Sequence, residues 1–344
     1  KARLYALARR RQPENAAIIA AFRLPCRSPA PAPRSPALSA MTPSPKPPKR
    51  KISGVLLLDK AVGISSNTAL QQVRRLYRAE KAGHTGVLDP LATGLLPVCF
   101  GQATKFAQYL LDADKAYIAT LRLGQATDTG DAEGSITATS HAEISQTDFQ
   151  VACQQHLGAQ QQLPPMYSAL KHQGKPLYQY ARQGIDIQRQ PRSIHIHDIQ
   201  ILRFQFPEAQ ISVQCSKGTY IRTLAEDIAK RAHTLAHLTA LRRTATAGFQ
   251  IEHSHSIESL ATLTEEQRDA LLLPCDALVQ HLPQHTASEQ TIRALRFGQT
   301  PVAPPELPEN TPLRIYAANG EFIGLAASQQ GYLKALRLMS TPSP

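Results

Sequence analysis

The sequence predicts an α+β catalytic-size domain followed by a small β-rich segment. Three observations carry this. Apolar runs of strand length and amphipathic runs of helix length are mixed along residues 52–250 without the regular strand–helix alternation of a doubly wound sheet. The texture changes after Leu273-Pro274, where short apolar runs are separated by Pro- and Gly-rich turns. There, Asn319-Gly320 lies between Leu313-Arg-Ile-Tyr316 and Glu321-Phe-Ile-Gly-Leu325, a strong hairpin signal.

Taken in order, the first fifty residues stand apart. They hold ten of the 26 prolines, and Arg27–Pro48 is rich in Ser, Pro and Ala. Such a composition cannot bury enough surface to offset its chain entropy, so residues 1–50 are expected to be a disordered extension. Being Arg-rich and acid-poor, the extension suits an organelle transit peptide. The competing expectation is that residues 1–40 are an over-extended translation and that the product begins at Met41.

Folded sequence is expected from about Ile52. Gly54–Asp59 reads as a buried strand, and Ser65-Ser-Asn-Thr68 offers N-caps for a helix through about Tyr77. A Gly-rich loop spans Gly83–Gly94. Leu95–Phe100 reads as a strand, Thr104–Leu111 as a helix, and Ala116–Leu123 as an alternating strand ended by Gly124. Thr127–Gly134 is a polar loop and Phe149–Leu157 a helix. Ile194, Ile196, Ile199 and Ile201, then Ile211, Val213 and Cys215, mark two strands. Tyr220–Arg231 and Leu235–Arg243 read as helices. The domain limits expected are 51–274 and 275–344.

The formal net charge is +12. It is unevenly placed. Residues 1–50 carry 11 Lys/Arg against the single acid Glu14, whereas residues 51–344 carry 27 against 25 acids. A nucleic-acid surface on the folded part must therefore be local. The five cysteines are widely spaced with no Cys-x-x-Cys, which argues against a disulfide framework or a zinc site and fits a reducing compartment. No apolar run approaches the roughly 20 residues needed to span a bilayer. His195 and His197 alternate with Ile194 and Ile196 on one strand face, with no third ligand in evidence, so a metal is not expected there. Cys99 and Cys215 fall in apolar strands and read as buried thiols.

The unusual stretch is Gly83-His-Thr-Gly-Val-Leu-Asp-Pro-Leu-Ala-Thr-Gly94, with three glycines, one His and one carboxylate. Pro90 disfavours the helical region for Asp89 and so presents that acid on a loop. By spacing alone, a surface turn with a capping Asp accounts for it equally well. The whole stretch, however, closely resembles the catalytic motif of the TruB family, the tRNA pseudouridine-55 synthases. Further blocks resemble that family in the same order: Gly54–Lys60, Lys105–Tyr117, Leu123–Thr129, Pro165–Lys171, Tyr180–Gly184, Cys215–Arg222 and Leu241–Thr244. The resemblance is dense from Ile52 to Phe249 and thins toward the C-terminus. Ala61 departs from it, where Pro is expected.

The resemblance implies a mixed, largely antiparallel sheet of the pseudouridine synthase type, a thumb insertion at about 165–193 that grips RNA, and a C-terminal PUA-like RNA-binding domain. It implies isomerisation of uridine 55 in the T-arm of tRNA by a cytoplasmic monomer, with no cofactor and no metal. Asp89 is then the catalytic carboxylate. Ring attack, sugar attack and elimination all stay open for it. Arg222 matches its cationic partner, whose fork can hold a carboxylate through two parallel hydrogen bonds. Tyr117 matches a ring that stacks on the flipped uracil and is also a candidate base, although a phenol with a pKa near 10 serves poorly unless tuned. Tyr220 and Leu241 match the lining of the uracil pocket. His84 matches the residue that fills the gap left by the extruded base. Without the resemblance, Tyr117 and Leu241 would read as core residues and His84 as a turn His. Candidate phosphate contacts are Lys105, Lys171, Lys175, Arg182, Lys217 and Arg242. The Ser168–Gly184 insertion favours a stand-alone enzyme over the related guide-RNA-dependent type. An RNA chaperone is the alternative from another class; a hydrolase built on Asp89 would lack a second acid or a metal.

Overall fold

The computed structural model describes residues 48–340. The disordered extension expected over residues 1–50, and the start at Met41, lie outside the described residues except for the last three positions. Of those, Arg50 is folded in: its amide donates to the Arg78 carbonyl, and its guanidinium pairs with Glu265 and Asp269. Folded backbone is therefore present already at Arg50, before Ile52.

Strand β1 (Gly54–Lys60) is apolar on both faces and leads into helix α1 (Ser66–Leu76). The Ser65 hydroxyl caps α1 by accepting from the Thr68 amide, satisfying one orphan N–H. Next come β2 (Ala82–His84), β3 (Ala92–Phe100) and β4 (Lys115–Leu123). The helix expected at Thr104–Leu111 is instead two short 3-10 turns, Gly101–Lys105 and Ala107–Leu110. Phe106 breaks them apart (φ −107°, ψ −4°) and goes fully into the core. A hairpin of β5 (Gln125–Thr127) and β6 (Ile136–Thr139) frames the polar loop. Helix α2 (Gln146–Gln154), opened by a capping box of Ser145 and Asp148, leads to β7 (Gly158–Gln162).

The thumb region holds the small hairpin β8 (Lys171–His172) and β9 (Lys175–Pro176) and the short helix α3 (Leu177–Ala181). Long strands β10 (Arg192–Gln205) and β11 (Glu208–Cys215) follow, then helix α4 (Ile221–Arg231).

The segment read as a helix at Leu235–Arg243 is strand β12 (Ala236–Thr246). Its Ala, Leu and Arg content favours helix, and Leu238 and Leu241 are three apart. That spacing arises from an irregularity in the pairing with β4 between Leu238 and Ala240, which lets a strand bury residues at a helix-like interval. Pairing on both edges overrides the local preference. A two-residue strand β13 (Phe249–Gln250) closes on β12, followed by short helices α5 (Ile257–Thr262) and α6 (Glu265–Ala270).

The resulting nine-stranded sheet runs β1-β3-β12-β4-β11-β10-β7, with β2 on β3 and β13 on β12. Every pair is antiparallel except β3 with β12. The mixed, largely antiparallel α+β sheet expected from the sequence is the one observed. Cys99, Cys153, Cys215 and Cys275 are all buried free thiols.

Toward the C-terminus, β14 (Gln284–Thr286), β15 (Pro312–Tyr316), β16 (Phe322–Gln329) and β17 (Tyr332–Leu338) form a four-stranded sheet. The Asn319-Gly320 turn joins β15 to β16 as expected. Helix α7 (Glu289–Arg296), capped by Ser288, also packs into this region and was not anticipated. This β-rich part has its own core around Ile292, Leu313, Ile315 and Leu333. It also shares a second apolar cluster with the large sheet, in which Val55, Leu57, Leu95 and Phe106 meet Leu278, Val279 and Leu325.

Candidate active site

The loop between β2 and β3 carries Asp89, and the chain fixes that loop at several points. Ser66, buried in the first turn of α1, donates its hydroxyl to the Leu88 carbonyl at 3.0 Å and accepts from the Leu88 amide at 2.8 Å. The Pro90 carbonyl accepts from the Gly63 amide at 2.8 Å. Lys60, fully buried, donates to the carbonyls of Ala61 (2.9 Å) and Ile64 (2.6 Å) beside it. Burial lowers the Lys60 ammonium to about 8. Gly94 closes the loop where β3 and β12 run parallel. Its φ is +101°, and a Cβ there would stand 2.3 Å from the Arg243 carbonyl oxygen.

Asp89 Oδ2 receives Arg222 Nη2 at 2.9 Å. The partnership expected from sequence is present, but it is one contact and not a two-bond fork. Both terminal nitrogens of the guanidinium also serve other acceptors. Nη1 donates to the Thr129 carbonyl at 2.7 Å and lies 3.7 Å from Asp131 Oδ2, while Nη2 also donates to the Tyr167 carbonyl at 2.7 Å. Arg222 is 6 % exposed and Asp131 3 %, whereas the Asp89 side chain is 43 % exposed. The arginine is thus a fixed internal cation with one donor offered to an acid at the cleft surface. Burial raises the Asp89 carboxyl above its ordinary value, with Arg222 opposing.

Two hollows meet at this pair. One, of about 460 Å³, is lined by His84, Asp131, Tyr167, Tyr178 and Arg182. The other, of about 630 Å³, is lined by Tyr117, Tyr220, Leu241, Arg243, Lys115 and Arg192. Asp89, Arg222, Val87, Leu88, Ser168 and Ala169 line both. The structure therefore brings Asp89, Arg222, Tyr117, Tyr220 and Leu241 around one cavity and sets His84 across the acid in the next. Tyr117 projects from β4 and is buried, and burial raises its phenol, so the ring is neutral at ordinary pH. Burial lowers the His84 imidazole, which is neutral as well. Tyr220 caps the start of α4. Its backbone is held by Gln162, which donates Nε2 to the Tyr220 carbonyl at 3.1 Å and accepts from its amide at 2.8 Å.

The expected phosphate contacts divide. Lys171, Lys175 and Arg182 are exposed on the thumb region, with Arg182 over the Tyr178 ring at 5.4 Å. Lys217 is exposed but pairs with Asp112 at 2.9 Å. Arg242 is turned to Asp59 through two bonds of 3.1 and 2.7 Å. Lys105 is engaged internally, donating to the Leu338 carbonyl at 2.8 Å and to Ser340 Oγ at 2.9 Å. Among the basic residues at the end of α1 and just after it, Arg74 bonds the Ala79 and Glu80 carbonyls and Arg78 pairs with Glu265.

Residues to which sequence reasoning gave no role in the site are Ser66, Asp131, Gln162 and Arg243. Asp131 had a visible signal, being an acid in the polar Thr127–Gly134 loop. Ser66 and Gln162 had none, since they hold backbone and their role exists only in the fold.

Compared with known proteins, the sheet matches a solved chain described as "Structure of H/ACA RNP bound to a substrate RNA containing 2'-deoxyuridine". The TM-score is 0.66, over 84% of this chain and 85% of that one, at 21% identity, a likeness of fold. The fold is that of the pseudouridine synthases. Family profiles described as "TruB family pseudouridylate synthase (N terminal domain)", "tRNA pseudouridylate synthase B C-terminal domain" and "Pseudouridine synthase II TruB, C-terminal" match residues 74–221, 222–280 and 283–339. The protein named tRNA pseudouridine synthase B in Neisseria meningitidis serogroup B is 63% identical over 298 residues, 86% of this chain and 97% of that protein. Its namesake in Thiobacillus denitrificans is 49% identical over 296 residues, 86% of this chain and 99% of its own. The chain belongs to the TruB family.

Proposed function

We propose that this chain isomerises uridine to pseudouridine in tRNA, at position 55 of the T-arm. The observation that carries the reading is the Asp89–Arg222 pair standing between two hollows, with Tyr117, Tyr220 and Leu241 around one and His84 in the other. A base extruded from its stack would enter the first hollow and place its glycosidic bond beside Asp89. The neutral His84 imidazole would occupy the space it left. The neutral Tyr117 ring suits stacking on uracil better than proton abstraction.

In the isomerisation the N1–C1′ bond breaks, the ring turns, and C5 bonds to C1′. C5 then loses its proton and N1 gains one. No atom or electron is added, so the rearrangement is internal to the nucleotide. The role proposed for Asp89 is to act, as an anion, on the ribose or the ring while Arg222 holds it in place. Exposed Lys171, Lys175 and Arg182 are proposed to position the RNA backbone. Among the described residues no helix is long and apolar enough to cross a membrane. The working form this reading expects is a cytoplasmic monomer.

The test is to incubate the purified full chain with a T-arm stem-loop transcript and map pseudouridine. Wild type should modify one uridine and Asp89→Asn none. Modification by Asp89→Asn at the wild-type rate, or none by wild type, refutes the proposal.

A further inference from the structure

Arg243 is the largest fully buried side chain among the described residues, at 1% exposure. Its Nε donates to the Leu95 carbonyl at 2.7 Å. Its Nη2 is buried and has no partner, and it enters none of the ion pairs among the described residues. A guanidinium stripped of water and given no anion is expensive to bury. The fold nevertheless encloses it closely. Gly86, whose φ of +83° favours glycine, carries the Asp89 loop across it, with the Cβ position in ordinary contact at 3.5 Å from Arg243 Nη1.

The location gives this expense a purpose. Arg243 is the direct cross-strand partner of Tyr117 in the β12–β4 register, so both side chains leave the same face of the sheet. Both line the hollow that also takes Tyr220 and Leu241. That hollow is lined by four cationic side chains, Lys115, Arg192, Arg222 and Arg243, against one carboxylate, Asp89, which Arg222 already holds. Neutral uridine does not call for such an imbalance. Uracil separated from its sugar does. When N1–C1′ breaks, the bonding pair leaves with the ring, and the negative charge spreads over N1, O2 and O4. C1′ makes up its deficit through Asp89 or by loss of a neighbouring sugar proton. C5 then supplies the pair for the new bond, its proton departs, and N1 takes one up. The need for a cation exists only between the two bonds.

We infer that Arg243 supplies the fixed positive charge that stabilises the uracil ring as a departing anion. The inference rests on the proposed reaction. A backbone phosphate is not the ligand this residue fits, because that would need an exposed arginine, as Arg192 is in the same hollow. The effect is largest where charge develops and water is absent, which is how a preorganised group accelerates a step without tightening substrate binding.

The experiment uses the full chain and two T-arm stem-loops, one with uridine and one with 5-fluorouridine at the modified position. Single-turnover loss of the starting nucleoside is followed for wild type, Arg243→Met and Arg243→Lys. Fluorine withdraws electrons and already stabilises the ring anion. Arg243→Met should therefore slow the uridine RNA on the order of 10²-fold and the fluorinated RNA by a clearly smaller factor. The Kd for RNA should not change, and Arg243→Lys should recover most of the rate. The melting temperature of Arg243→Met should be unchanged or higher, since an uncompensated charge has been removed; a merely structural arginine would lower it. Should Arg243→Met fail to fold, Arg243→Gln, which keeps a donor for Leu95, carries the same comparison. A wild-type rate, equal slowing of both RNAs, or weaker RNA binding at an unchanged rate overturns the inference. Absence of pseudouridine from the wild-type reaction would instead overturn the proposed function.

Discussion

Replacing Arg222 by Lys separates the charge of this residue from its shape. The guanidinium serves four groups at once: Asp89, Asp131 and the carbonyls of Thr129 and Tyr167. A lysine ammonium is a single point with three donors, so it can neutralise Asp131 or reach toward Asp89 but cannot span both sides. Since Asp131 is buried and Asp89 is half-exposed, the ammonium should settle inward and release Asp89. A hydrogen bond to a charged group contributes about 1.5–3 kcal/mol. If it is realised at the transition state, its loss lowers kcat by about 10- to 150-fold. Losing one of the two carbonyl contacts should cost stability about 1 kcal/mol, so the variant remains folded. The assay is tritium release from C5-labelled uridine in tRNA at saturating RNA, with urea denaturation run in parallel. The pH profile adds a second check. The role proposed for Asp89 requires its anion, and its carboxyl is raised by burial and lowered by Arg222. The acid limb of kcat should lie above the ordinary aspartate value near 3.9 and move to higher pH in Arg222→Lys. A variant with wild-type kcat, or an acid limb that does not move, would show that the 2.9 Å contact has no role in turnover.

Lys60 offers a pH test of stability. Its folded value of about 8 lies below the ordinary 10.5, so between those limits the unfolded chain binds more protons and the fold gains stability as pH rises. Relative to Lys60→Met, wild type should gain about 1–2 kcal/mol between pH 7.5 and 9.5 in urea melts; a flat difference contradicts the assignment. Gly94→Ala puts a methyl against the β12 backbone in a left-handed conformation and should cost about 3 kcal/mol, and a change within 0.5 kcal/mol (the ordinary surface range) would show that the contact relaxes freely. Replacing Lys171, Lys175 and Arg182 together by Gln should reduce the slope of log K for tRNA against log salt by about 2 to 3 and leave single-turnover chemistry at saturation unchanged. An unaltered slope would remove these side chains from the RNA interface.

Most strands were legible because their apolar runs are bounded by glycine or polar turns, as β1, β3 and β4 are. The α1 cap at Ser65 was visible for the same reason: capping is a local matter of one side chain and one amide. Strand β12 was not, since its identity depends on neighbours more than 100 residues away and its irregular pairing imitates a helical interval. The site divides in the same way. Asp89, Arg222, Tyr117, Tyr220 and Leu241 were named from motif blocks, and the structure brings them together. The single bond between Asp89 and Arg222 could not be foreseen, because it follows from carbonyls at Thr129 and Tyr167 that only the folded chain delivers. Arg243 lies beside Arg242 in the Leu241–Thr244 block, yet the two point to opposite environments, Arg242 to Asp59 and Arg243 to the interior.

The position of β12 has a bearing on how the protein is made. It lies between β3 and β4, which are adjacent in the chain but never pair, and it is the last long strand of the large sheet to leave the ribosome. Until Thr246 has been synthesised, the β1–β3 part and the β4–β11 part have no common edge, and the larger hollow lacks Leu241 and Arg243. A nascent chain stalled earlier would hold two half-sheets with open rims, slow to settle and prone to pair with other chains. A chain cut short before β12 would therefore lack both the strand that joins the half-sheets and one wall of the larger hollow.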